Sequence, residues 1–134
     1  MYDRIDELLR SSKLDEAGEY MRQELAAAEE RGDVPSQLYL LGELAGFSRD
    51  TGNTSAAVDY AERADRLFPQ ERHDSAEYTA LLLNLANAYR AAAIQDKAHE
   101  VYDRISPLAK RYTEHLPAYH NNLALLLQDE VTFR

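Results

Sequence analysis

Leu82, Leu85, Ala86 and Tyr89 stand at i, i+3, i+4 and i+7, the spacing that lines four side chains along one face of a helix with about 3.6 residues per turn. Ala98, Val101, Tyr102, Ile105 and Leu108 follow the same rule in the next stretch of chain. Between such stripes stand residues that stop helices or turn the backbone: Gly32 with Pro35, Gly52 with Asn53, and Pro69. The pattern predicts seven helices, at about 2–10, 14–30, 36–50, 54–68, 75–92, 95–113 and 117–129. Asp74 or Ser75 can cap the fifth, with Glu77 three residues after Asp74 as in a capping box. Pro107 lacks a backbone donor and crowds the preceding turn, so the sixth helix is expected to kink or restart there, with Ser106 as cap.

The stripes repeat. Leu44-Ala45, Gly52, Ala57, Ala61 and Ala64 correspond to Leu85-Ala86, Ala93, Ala98, Tyr102 and Ile105, each pair 41 positions apart. A weaker echo upstream places Ala17 and Met21 of Lys13-Leu14-Asp15-Glu16-Ala17 40 positions before Ala57 and Ala61. Downstream, Asn122-Leu123-Ala124 repeats Asn84-Leu85-Ala86 at 38. Small residues at Ala86 and Ala98 let two helices approach, and Tyr89 and Tyr102 fill the space above and below.

Leu85-Ala86-x-x-Tyr89 followed by Ala98-x-x-x-Tyr102 resembles the tetratricopeptide repeat (TPR), whose first helix carries Leu-small-x-x-aromatic and whose second carries Ala-x-x-x-aromatic with Pro after it. Leu44-Ala45 with Ala57 and Pro69 fits in part, because Ser48 and Ala61 occupy the aromatic positions. The long period, and Asn121-Asn122-Leu123-Ala124-Leu125-Leu126 after His115-Leu116-Pro117, are similar to the elongated repeats of kinesin light chains and many bacterial repeat proteins. The resemblance covers nearly the whole chain. It implies an all-α, right-handed superhelical stack of antiparallel helix hairpins over residues 1–134, a single repeat domain belonging to a longer solenoid. It implies a scaffold that binds a protein or peptide, and no enzyme.

Composition agrees with that class. Hydrophobic residues make up 45%, yet Trp is absent and Phe numbers 3 beside 9 Tyr, so the interior has to be built from Ala and Leu with tyrosines as the large pieces. Only 5 Gly and 4 Pro leave little punctuation for a many-stranded sheet. No run approaches the ~20 apolar residues that cross a bilayer, and the first residues, Met1-Tyr2-Asp3-Arg4-Ile5-Asp6, suit neither a secretory leader nor a transit peptide. A cytoplasmic protein with no membrane partner is expected. Zero Cys excludes disulfides and thiolate chemistry. The net charge is −9, and residues 1–34 carry 10 acids against 5 bases, which argues against nucleic acid, whose phosphates require Lys and Arg.

In stacked hairpins, one face of each first helix lines an inner groove, the usual ligand surface of a solenoid. Off the core stripe of the fifth helix stand Leu83, Asn84, Asn87, Arg90 and Ala91; in the third, Tyr39, Gly42, Gly46, Arg49 and Asp50; in the seventh, Asn121, Asn122, Leu125 and Gln128. The candidate groove residues are therefore Tyr39, Arg49, Asn84, Asn87, Arg90, Asn121, Asn122 and Gln128. Asn both donates and accepts, which suits an extended peptide backbone, and Arg49 or Arg90 can pair with a carboxylate. Gly42 and Gly46 cost helix stability by roughly 1 kcal/mol each, which suggests that something approaches the backbone there. Family members that clamp acidic C-terminal tails use Lys and Arg beside Asn. Here Asn84 and Asn122 match the Asn component while Leu83 and Gly42 stand where lysines are needed.

Other constellations read as structural. His115 and His120 are five apart with Pro117 between them, not the i, i+4 pair of a helical metal site, and His73 and His99 lie near helix ends, so no metal or cofactor is expected. Glu29-Glu30 and Asp15-Glu16 fall on exposed helix faces. Arg31-Gly32-Asp33 spells an adhesion tripeptide, with Gly32 better placed as a helix-ending residue. An alternative to the free-standing binding module is a regulatory or sensory segment of a larger enzyme or signalling protein whose chemistry lies elsewhere. At the C-terminal end, Leu123, Ala124, Leu126, Leu127, Val131 and Phe133 form an apolar stretch without the second helix that should cover it. The expectation is a longer solenoid, or a homodimer through this uncapped helix with Leu126 or Leu127 in the interface.

Overall fold

In a computed structural model that describes residues 1–11 and 13–132, the periodicity yields seven α-helices, and no strand forms among the described residues. They are α1 (Tyr2–Arg10), α2 (Leu14–Glu30), α3 (Val34–Asp50), α4 (Thr54–Leu67), α5 (Ala76–Ala91), α6 (Gln95–Arg111) and α7 (Leu116–Thr132). Single turns of 3-10 helix precede α5, at Gln70–Arg72, and α7, at Thr113–His115. The caps explain where the helices start. Asp33 accepts from the Ser36 amide at 3.2 Å and the Ser36 hydroxyl at 2.7 Å, which starts α3 two residues ahead of the expected position and leaves Pro35 in its first turn. Asn53 accepts from the Ala56 amide, and Ser75 accepts from the Tyr78 amide at 3.0 Å. Ser75 is thus the cap of α5, while Asp74 turns away to pair with Arg111 and accept from the Tyr112 hydroxyl.

Three turns between consecutive helices are the same turn. Gly32 (φ +66°), Gly52 (φ +87°) and Ala93 (φ +59°) each end a helix in the left-handed region. In each, the following amide reaches back to a carbonyl five residues earlier: Asp33 to Ala28 at 2.9 Å, Asn53 to Ser48 at 2.8 Å and Ile94 to Tyr89 at 2.9 Å. Gly52 and Ala93 are partners in the 41-residue repeat, so the repeat extends to backbone conformation. Pro107, by contrast, neither ends nor restarts α6, which runs on to Arg111. Pro107 and Asp103, whose carbonyl loses its usual donor, both lie on the exposed side where water can satisfy it. Tyr102, Ile105 and Ala109 hold the opposite side in the core.

Each helix packs on the next, and α3 also touches α5, and α5 touches α7; the even-numbered helices make no comparable contacts with one another. This is a solenoid-like stack of hairpins, with α3, α5 and α7 in contact along one side, its inner side. Two apolar clusters fill it. One gathers Ile5, Leu8, Met21, Leu25, Leu40 and Leu44; the other gathers Leu82, Leu85, Tyr89, Val101, Tyr102 and Leu126. Leu38, Tyr60 and Leu81 pack against both, so the core is continuous. Ala57, Ala61, Ala86 and Ala98 are buried at the helix contacts, where a larger side chain would force the backbones apart. Tyrosine hydroxyls tie the layers together from the side: Tyr78 donates to Asp65 at 2.5 Å, with Arg104 reaching both, and Tyr89 donates to Glu62 at 2.5 Å.

The C-terminal helix differs from expectation in one respect. Leu126 is fully buried in the chain's own core, because α7 lies against the side of the α5–α6 hairpin, and so it is not available to an interface between copies. Leu127 and Val131 do project outward, 47% and 72% exposed. Phe133 lies outside the described residues.

Candidate functional site

The inner side of the stack carries a groove along α3. Its larger bay, of about 530 Å³, is floored by Leu38, Ala45, Ala61, Ala64, Phe68 and Leu81 and rimmed by Tyr39, Gly42, Glu43, Glu77, Ala80 and Asn84. A second bay of about 390 Å³ shares Gly42, Glu43 and Asn84 and continues past Gly46 and Phe47 toward Leu9 and Leu14 of the first hairpin. Gly42 and Gly46 are one helical turn apart, and a β-carbon built on either meets nothing within 4 Å. Neither glycine is needed for helix packing, therefore, and together they leave bare backbone on the groove wall.

Tyr39 occupies the rim next to the first hairpin, its ring edge-on to that of Tyr2 with centroids 4.3 Å apart. Burial raises its hydroxyl pKa, and the carboxylates of Glu43 and Asp6 raise it further. Glu43 stands where the two bays meet. Burial lifts its carboxyl above the ordinary value, with Asp6 of α1 adding to the lift, and it makes no hydrogen bond or ion pair with any described residue. Glu77 approaches from α5. Arg49 is bonded to its neighbour Asp50, at 3.4 Å, and Lys is absent from the lining of both bays.

Of the residues singled out by sequence, the structure brings Tyr39 and Asn84 together in this groove, with Gly42 and Gly46 between them. Arg49 lies beside it through Asp50. Arg90 reaches from α5 to Asp129 of α7, 3.5 Å away, and its Nε is buried together with Asn87 Oδ1 without a hydrogen-bond partner among the described residues. Both side chains are otherwise partly exposed, and neither lines a bay. Asn121 donates to its neighbour Asn122 at 3.5 Å on α7, and Gln128 is exposed there, all away from the bays. Glu43 carries a signal that helical spacing already contains, four residues after Tyr39 and three before Gly46. Its importance comes from Asp6, whose charge acts on it from α1, and from Glu77, which lines the same bay from α5; neither can be placed by spacing.

Three of the four histidines are engaged locally. His73 stacks on Tyr78 with centroids 3.9 Å apart and contacts the Phe68 carbonyl at 3.2 Å, His99 pairs with Glu130, and His120 leans on Tyr119. Among the described residues no group of His, Cys, Asp and Glu has the arrangement of a metal site, and no helix is long and apolar enough to cross a membrane. Arg31 and Asp33 of the adhesion-like tripeptide are bonded to each other at 3.1 Å across Gly32. Set against models of known protein families, curated proteins and solved structures, the chain matches none of them.

Proposed function

We propose that this chain is a TPR-type interaction module that takes a segment of a partner protein along the inner groove of its odd-numbered helices. The observation that carries this reading is the open strip at Gly42 and Gly46, flanked by Tyr39 and Asn84 and backed by an apolar bay. Two glycines in a helix interior each cost about 1 kcal/mol against Ala. No neighbouring side chain requires them, so access from outside is the remaining reason for the cost. Asn84 offers a donor and an acceptor to a passing backbone, and the bay offers an anchor site for one apolar side chain. The 41-residue repeat, with its shared turn at Gly52 and Ala93, supports placing the chain with tetratricopeptide repeats of the elongated kind.

The test is selection of peptides from a randomised display library on the full chain, followed by amide chemical-shift mapping of the best binder. Shifts at Gly42, Gly46 and Asn84, and loss of binding on Gly42→Trp, are expected. A binder whose shifts fall on α4 and α6, with Gly42→Trp indifferent, overturns the reading.

A further inference from the structure

We infer that the segment taken up in this groove is basic, presenting a Lys or Arg to Glu43 beside an apolar residue seated against Phe68 and Leu81. This inference rests on the groove-binding reading above and adds the chemistry of the partner.

Three features point the same way. The larger bay is apolar on its floor, so it favours a hydrocarbon side chain, yet its rim carries Glu43 and Glu77, and neither has a hydrogen-bond or ion-pair partner among the described residues. Glu43 is the half-buried one, and Asp6 stands close enough to raise its pKa. A carboxylate in that position is poorly hydrated and faces a like charge, a state that an incoming cation relieves and an incoming anion worsens. The two arginines that the sequence offered for an acidic partner are paired elsewhere: Arg49 with Asp50, and Arg90 with Asp129 of α7. Lys is absent from both bays. The long hydrocarbon stem of Lys or Arg also suits the site, since it can lie along the bare backbone at Gly42 while its head reaches Glu43. The net charge of −9 adds a long-range attraction for a basic segment.

The experiment uses peptides selected on the full chain and measures their affinity by fluorescence anisotropy for the wild type, Glu43→Gln and Gly42→Trp. Circular dichroism confirms that each variant is folded. The expected result is enrichment of Lys or Arg next to a large apolar residue. Replacing that Lys or Arg by Gln then weakens binding on the order of tenfold in the wild type but less than about twofold in Glu43→Gln. Binding should also weaken with added salt. Neutral or acidic peptides that Gly42→Trp excludes would overturn the basic partner and leave the groove reading standing. A Lys dependence that survives Glu43→Gln would place the cation elsewhere and equally overturn it. Peptides indifferent to Gly42→Trp, or no peptide at all, would overturn both.

Discussion

Gly18 of α2 lies against the ring of Phe47 of α3 so closely that a β-carbon at position 18 would stand 2.9 Å from Phe47 Cε1. Here the missing side chain is what lets two helices meet, unlike at Gly42 and Gly46. Gly18→Ala is therefore expected to destabilise the fold by about 1–3 kcal/mol through displacement of the ring. Gly42→Ala and Gly46→Ala should each stabilise it by about 0.5–1 kcal/mol, because the added methyl meets open space and the helix propensity improves. Urea denaturation of the three variants checks the contrast, and a loss at Gly42 equal to that at Gly18 would contradict it.

Ala93 holds a left-handed turn that its repeat partner Gly52 holds without strain. An L-residue there costs about 1–2 kcal/mol, of which Gly recovers most, less the entropy that Gly adds to the unfolded chain. Ala93→Gly should raise stability by roughly 0.5–1 kcal/mol, while Gly52→Ala should lower it by a similar amount. Thermal melts of both variants give the comparison.

Three buried tyrosines separate by what their hydroxyls touch. Tyr78 and Tyr89 donate to the carboxylates of Asp65 and Glu62, whereas the Tyr102 hydroxyl is buried without a partner among the described residues. Tyr78→Phe and Tyr89→Phe are expected to cost about 1.5–3 kcal/mol, the range for hydrogen bonds to charged groups. Tyr102→Phe should be neutral or slightly stabilising, since it removes a desolvated hydroxyl and keeps the packing. Chemical denaturation of the single variants checks it, with equal losses at all three as the contrary result.

Glu43 makes stability depend on pH in a definite direction. Its folded pKa is raised, chiefly by burial and then by Asp6, so the native state disfavours the charged form. The resulting destabilisation is complete above the folded pKa, fades as pH falls through that raised value, and is gone below the ordinary carboxylate value. Glu43→Gln should therefore melt above the wild type at neutral pH, with the difference closing as pH falls through this acidic window. A constant difference down to strongly acidic pH would show that the ionisation of Glu43 is not the cause.

On α7, neighbouring leucines have opposite roles. Leu126→Ala should cost about 2–5 kcal/mol as a core truncation, and Arg90→Ala roughly 1 kcal/mol by releasing Asp129. Leu127→Glu should change stability by less than about 0.5 kcal/mol, since the side chain is half exposed. Sedimentation of wild type and Leu127→Glu at micromolar concentration reports whether this outer face, with Val131, joins two copies. A dimer in the wild type that Leu127→Glu dissolves would establish that it does.

Much of the architecture is local and was legible in the chain. Stripes at i, i+3, i+4 and i+7 specify amphipathic helices, and Gly32, Gly52 with Asn53, and the cap Ser75 mark their ends, because each of these depends on residues only a few positions apart; the cap Asp33, which starts α3 two residues early, was not read. The predicted sixth helix already spanned Pro107, but that α6 does not restart there was not legible. A helix breaker is overruled when Tyr102, Ile105 and Ala109 are already committed to the core on its other side, a balance that exists only after packing. The site divides along the same line. Tyr39, Gly42 and Gly46 share a face of α3 by helical spacing alone, and Asn84 stands off the core stripe of α5, so sequence could put each on the groove side of its own helix. Which polar groups remain free inside it was decided by tertiary structure: Arg90 is taken up by Asp129 from a helix about forty positions on, and Asp6 is carried up to Glu43 from the first helix. Charge acts through space and not along the chain, so the sign of the groove is set only once α1, α3 and α5 lie side by side.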